Sequence, residues 1–261
     1  ISEAIRLNGT AVAMNLAAFG LGRLAAAEAS YLDAMRGEGA IRANDPEDLD
    51  CLVASRAAHL EAYQNAALAD RYRALVARVA SAEAALPGER GGLALTVARV
   101  YARLLAYKDE YEVARLFSSE AFRRELDEAF EGDFRIAFNL APPLLSRRDP
   151  ATGRLRKRSF GQWVMPAFRL LAGLRGLRGT ALDPFGYHPH RRRERQLVRD
   201  YEALVEEILQ RLTDANHGEA VKLAAIYGTI RGYDVVKDAA MEEAQASLAD
   251  ARAAFSAAST A

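Results

Sequence analysis

The sequence has one cysteine, one tryptophan and only 8 prolines in 261 residues. A lone Cys51 excludes an internal disulfide and any iron–sulfur cluster held by this chain alone, and it fits a reducing, cytoplasmic setting. No run approaches the ~20 apolar residues that cross a bilayer, so no membrane partner is expected. Ile1-Ser2-Glu3-Ala4 offers no basic segment ahead of an apolar stretch and no initiator Met. It does not read as a signal peptide, and the expectation is a chain processed or truncated from something longer. Net charge is also missing, with 35 Lys and Arg against 35 Asp and Glu. What is present is globular: 51% hydrophobic and 27% charged, rich in the helix formers Ala, Leu, Glu and Arg and with only 18 Gly. The length allows one large domain or two smaller ones around a real core.

The zero net charge conceals segregation. Phe134 to Arg199 holds 15 Lys and Arg against 3 Asp and Glu, a local +12, so the remainder carries −12. Segregation of this kind speaks to partners and association rather than to fold.

The apolar spacing predicts a mainly α multi-helix bundle with one small β hairpin or strand pair near the middle. A short helix ends at Gly9 and a longer one runs from about Thr10 to Met35. Asn44-Asp45-Pro46 has the chemistry of a helix start, with an Asx cap, Pro in the first turn and acids Glu47 and Asp48 behind it. A break is expected near Asn65. Leu68, Tyr72, Leu75, Val76, Val79 and Leu86 then share one face up to Pro87-Gly88, and Leu93, Val97, Val100, Leu104, Tyr107 and Tyr111 continue at spacings of three and four. Phe134, Ile136, Phe138 and Leu140 alternate with Arg135, Ala137 and Asn139, the period of a half-buried strand. Asp149 to Gly153 is suited to a hairpin turn. Trp163 to Leu174 reads as a helix with Pro166 in its first turn, and Asp183-Pro184 with Gly186 as an irregular loop. Leu197, Tyr201, Leu204, Val205, Ile208 and Leu212 form an apolar stripe. Helices over about Asn216–Tyr227 and Val235–Phe255 complete the chain.

Few residues suggest chemistry. His188-Pro189-His190 has no Cys or carboxylate at ligand spacing and reads as a loop. Glu120, Glu125, Glu128, Glu131 and Asp133 lie among Arg123 and Arg124 and read as a solvated helix face. Cys51, beside Leu52 and Val53, reads as a small buried hydrophobe. Gly173, Gly176 and Gly179 imitate a phosphate loop without opening a helix after a strand. The basic segment remains. Arg147, Arg148, Arg154, Arg156, Lys157 and Arg158 flank the turn, while Arg191, Arg192, Arg193 and Arg195 open a helix, where their charge opposes the local dipole. These residues are candidates for an anionic small molecule or an acidic protein, or for pairing with acids of this chain or a neighbour. Nucleic acid is set aside, because no reader motif and few aromatics accompany the arginines.

Tyr111 to Leu116, Asn139 to Leu145, Leu177 to Thr180, Asp183-Pro184-Phe185-Gly186 and Ile230-Arg231-Gly232-Tyr233 with Val236-Lys237 together resemble the C-terminal region of bacterial fused indolepyruvate ferredoxin oxidoreductase. Ala4 to Val12, with Asn15 to Phe19 and Gly22-Arg23, resembles the last helices of the catalytic γ domain of 2-oxoacid:ferredoxin oxidoreductases. The resemblance implies terminal γ-domain helices over residues 1–40 and a helical C-terminal domain over 41–261, with the basic segment at 134–199. It also implies the parent reaction: an arylpyruvate and coenzyme A give an arylacetyl-CoA and carbon dioxide while ferredoxin is reduced. Thiamine diphosphate, magnesium and iron–sulfur clusters would serve the full-length enzyme, a homo-oligomer, with ferredoxin and coenzyme A as partners. This chain would carry none of these cofactors and no catalytic residue, and would act in assembly or cofactor access beside the upstream domains. Gly20-Leu21, Tyr227 and Asp234-Val235 depart from the family pattern and leave the 2-oxoacid open. The alternative expectation is a free-standing helical module that binds an acidic protein.

Overall fold

The computed structural model describes residues 1–8, 12–27, 48–88, 91–130, 132, 134–140, 158–232 and 235–259. Two units are present, Ile1–Glu47 and Asp48–Ala261. In the first, α1 (Ser2–Asn8) packs on α2 (Val12–Ala27). All that follows concerns the second.

Side-chain caps set four of its helix starts. α3 (Leu49–Tyr63) starts on Asp48, whose carboxylate accepts from the Asp50 N–H at 3.2 Å. The start expected at Asn44-Asp45-Pro46 lies outside the described residues. α4 (Ala66–Ala84) starts on Asn65, which accepts from the Leu68 N–H at 3.0 Å, at the break the sequence predicts. α5 (Leu93–Leu105) follows. The periodic series from Leu93 to Tyr111 is not one helix: α5 stops at Leu105, and α6 (Glu110–Ser118) begins afresh on Asp109, which accepts from the Glu112 N–H at 2.8 Å. A local carboxylate cap there competes with helix continuation, so the apolar spacing runs on across a break. Ser119 caps α7 (Glu120–Ala129) in the same way.

β1 (Phe138–Leu140) and β2 (Arg158–Phe160) form an antiparallel pair, with Phe138 opposite Phe160. Alternating burial runs from Phe134, as predicted, but the ladder covers only the last three residues of that stretch, where β2 lies opposite. The predicted turn, Asp149–Gly153, is outside the described residues. α8 (Met165–Gly173) has Pro166 in its first turn and lies between 3-10 turns at Gln162–Val164 and Leu174–Leu177. α9 (Pro189–Arg211), α10 (His217–Ala225), a 3-10 turn at Ile226–Thr229 and α11 (Val235–Ala258) complete a mainly α bundle with one small β pair.

α5 is the hub. It is apolar over most of its circumference and packs against α3, α4, α9 and α10, as a helix buried on all sides must. Through this core runs a row of tyrosines, Tyr72, Tyr101, Tyr201 and Tyr227, with successive ring centroids 6.0, 6.2 and 5.2 Å apart. A second apolar cluster, centred on Phe138, Val164 and Phe168, joins α6 and α8 to the β pair. Cys51 corrects the sequence reading: it is exposed. Leu52, Ala57, Leu60 and Tyr63 face the core, and the ~100° turn per residue carries Cys51 off that stripe. Among the described residues, no helix is long and apolar enough to cross a membrane.

Candidate functional site

Three distant stretches converge on one buried ion pair. Asp109, the cap of α6, receives the Arg178 guanidinium through Nε at 2.5 Å and Nη2 at 2.9 Å. Both residues are nearly inaccessible, at 3% and 5% exposure. The remaining Arg178 nitrogen, Nη1, donates to the Tyr63 carbonyl at 2.7 Å, and the guanidinium lies over the Tyr63 ring, 3.6 Å from its centroid. That carbonyl belongs to the last turn of α3, where orphan acceptors call for a cation. Burial works against the Arg178 charge, but Asp109 and Tyr63 outweigh it and hold the guanidinium above its usual pKa. Burial, reinforced by Asp109, pushes the Tyr63 phenol up.

A second buried carboxylate, Asp183, organises the adjoining loop. It accepts from the Tyr111 hydroxyl at 3.1 Å, the Gly179 N–H at 2.8 Å and the Phe185 N–H at 3.1 Å. Gly179 sits at φ +75°, a left-handed conformation that suits glycine. Gly186 is buried against this carboxylate, and its carbonyl accepts from Arg195 Nη2 at 2.5 Å. Burial and the Asp183 charge raise the Tyr111 phenol. Every oxygen of the two carboxylates is therefore engaged, and the arrangement holds elements rigidly together.

A cleft of about 290 Å³ opens beside this network. Leu68, Leu105 and Val198 contribute apolar wall, and Arg71, Arg178, Arg195 and Arg199 contribute guanidinium-bearing side chains, with no acid among the described lining residues. Arg71 is paired with Glu202 at 2.6–2.8 Å. Arg195 is held by the Gly186 carbonyl and Arg199 by the Gln196 amide oxygen.

Of the ten basic candidates, Arg147, Arg148, Arg154, Arg156 and Lys157 lie outside the described residues. Arg158 is exposed on β2, and Arg192 and Arg193 are exposed on the first turns of α9. Arg191 is paired with Glu110 at 2.9–3.2 Å and also donates to the Lys108 carbonyl, which answers the unfavourable dipole at the start of α9. Arg195 alone reaches the cleft. Glu120, Glu125 and Glu128 are exposed on α7, while Glu131 and Asp133 lie outside the described residues. The His188 and His190 rings stack at 5.3 Å. Among the described residues, no group of three or more His, Cys, Asp or Glu could hold a metal ion.

Sequence reasoning names the segments Tyr111–Leu116, Leu177–Thr180 and Asp183–Gly186 but does not see that they meet. The available signal is Asp109-Glu110-Tyr111-Glu112, the spacing of an N-cap followed by an acid three residues on. A second feature has no such signal: Glu83 of α4 caps α5 from outside, accepting from the Leu93 and Ala94 N–H groups at 2.8 and 2.9 Å, with His217 Nε2 2.6 Å away.

Residues 49–250 match a family described as "Family of unknown function (DUF6537)". No curated protein and no solved structure matches the chain.

Proposed function

The chain belongs to this family of unknown function, and we propose on its own residues that it is the helical C-terminal region of a 2-oxoacid:ferredoxin oxidoreductase of the indolepyruvate type, serving assembly or cofactor access. One observation supports the reading above others. Tyr111, Arg178, Gly179, Asp183 and Gly186, all from stretches that carry the resemblance, lie in adjoining hydrogen-bonded groups around the buried carboxylates Asp109 and Asp183. Lys237, from a further such stretch, pairs with Glu194 of α9 at 2.5 Å. In a catalytic site some polar groups must be left for substrate; here Asp109, Asp183 and the Arg178 guanidinium are each fully engaged by side chains and backbone, which is what a scaffold requires.

In this reading the thiamine diphosphate, magnesium and iron–sulfur clusters belong to upstream domains of the same polypeptide, with ferredoxin and coenzyme A as the parent enzyme's partners. The decisive observation is the reading frame upstream of Ile1. Continuation into thiamine-diphosphate and ferredoxin-like domains supports the proposal. A separate gene that starts just before this chain overturns it in favour of a free-standing helical module binding an acidic protein. The purified chain supplied with an arylpyruvate, coenzyme A, thiamine diphosphate and magnesium is expected to give no viologen reduction, and measurable turnover would contradict the scaffold role.

A further inference from the structure

We propose that the cleft between α4, the end of α5, the Arg178 loop and α9 is a binding site for a small phosphomonoester with an apolar body. The inference is independent of the parent-enzyme reading. Three features carry it. First, the wall is apolar where Leu68, Leu105 and Val198 meet, so an aromatic or aliphatic group finds contact there without stranding a polar atom. Second, Arg195 and Arg199 stand one helical turn apart on α9 and line the cleft together. Third, their observed acceptors, the Gly186 carbonyl and the Gln196 amide, are neutral. Arg71 and Arg178 differ here, since Glu202 and Asp109 neutralise them. The nearest acid of the network, Asp183, is committed to Tyr111 and two backbone N–H groups and does not line the cleft.

The result is a concave surface on which Arg195 and Arg199 hydrogen-bond neutral acceptors. Asp183 lies close behind Arg195, since Asp183 Oδ2 and Arg195 Nη1 both crowd the position a Cβ would take at Gly186, and Arg199 is on the open side. A phosphomonoester carries about −1.5 to −2 charge at pH 7, and its three terminal oxygens suit paired guanidiniums better than a monoanionic carboxylate does. The cleft volume, about 290 Å³, is at the small end of ligand pockets, roughly 300–1,000 Å³, so the fit is to a single small molecule.

The test is isothermal titration of the 261-residue chain with phenyl phosphate, with inorganic phosphate and benzoate as comparison arms. Saturable one-site binding of phenyl phosphate, tighter than either comparison compound, is expected. Arg199→Gln, at an exposed position, and separately Arg195→Lys, which keeps charge but loses the planar fork, should each weaken it by roughly tenfold or more. The paired substitution Arg123→Gln/Arg124→Gln on exposed α7 should leave it unchanged, with circular dichroism confirming that each variant is folded. The proposal is overturned by absence of saturation, by equal loss in the α7 control, or by benzoate or inorganic phosphate binding as tightly as phenyl phosphate.

Discussion

Asp109 and Arg178 show how a charge that costs several kcal/mol to bury is retained when its geometry is complete. Removing one partner strands the other in a site that is 3–5% exposed. Arg178→Leu is therefore expected to destabilise the chain by about 3–5 kcal/mol in urea unfolding, and Asp109→Leu by a similar amount. The double variant should lose clearly less than the sum, since each half then leaves no orphan. Strict additivity, or a single-variant loss below about 1 kcal/mol, would show that the pair behaves like a surface bridge. Gly186 makes a different point. A Cβ added there would lie 2.7 Å from Asp183 Oδ2 and 3.2 Å from Arg195 Nη1. The carboxylate cannot yield without abandoning Tyr111 or the Gly179 N–H. Gly186→Ala should cost about 1–3 kcal/mol, the usual range for forced overpacking, whereas Gly176→Ala, with nothing within 4 Å of its added Cβ, should not. Equal melting temperatures for the two variants would contradict this.

At the scale of elements, the helices divide by where their caps come from. α3, α4, α6 and α7 begin on their own Asp48, Asn65, Asp109 and Ser119. α5 begins on Gly92, which has no side chain to offer, and Glu83 of α4 supplies both acceptors instead. This coupling makes the start of the hub helix depend on the end of its neighbour. Asn65→Ala should cost about 1 kcal/mol, an ordinary cap. Glu83→Ala leaves two buried N–H groups and His217 without their acceptor, at about 1–3 kcal/mol for each unsatisfied group, so its loss should exceed that of Asn65→Ala by at least twofold. Hydrogen exchange adds a local readout: the Leu93 and Ala94 amides should lose protection in Glu83→Ala and keep it in Asn65→Ala. Comparable losses from the two variants, with no change at those amides, would remove the special role of Glu83.

For the whole molecule, acid sensitivity has an identifiable contributor. His59 on α3 is held below its ordinary pKa of 6.5, first by partial burial and then by Arg115 and Arg56, against an opposing pull from Glu112. A depressed histidine binds its proton more readily in the unfolded chain. Its contribution is therefore constant above pH 6.5 and falls as pH drops from 6.5 toward the folded-state value. Proton NMR of the His59 imidazole should give a titration midpoint below 6.5, and a midpoint at or above that value would reverse the sign. The charge segregation acts at the same scale. Arg178 and Arg191 of the basic segment meet Asp109 and Glu110 of the acidic remainder, so part of the +12 and −12 is used inside the fold.

The helical class, the break at Asn65, the stripes on α4 and α9 and the β pair at Phe138 all follow from period and capping chemistry, which are local properties that a linear sequence displays. Cys51, Tyr107 and Tyr111 mark where local reading stops. Burial of Cys51 depends on helix phase against neighbours, and the break before Asp109 depends on a carboxylate that a uniform apolar spacing conceals. The site lies further beyond reach: Tyr63, Asp109, Arg178 and Asp183 are up to 120 residues apart, and only packing of α3, α6 and the Arg178 loop brings them within hydrogen-bond distance. The arginines were visible in composition from the start, but which of them meets a carboxylate and which lines an open cleft is decided by distances of a few ångströms that no spacing rule encodes.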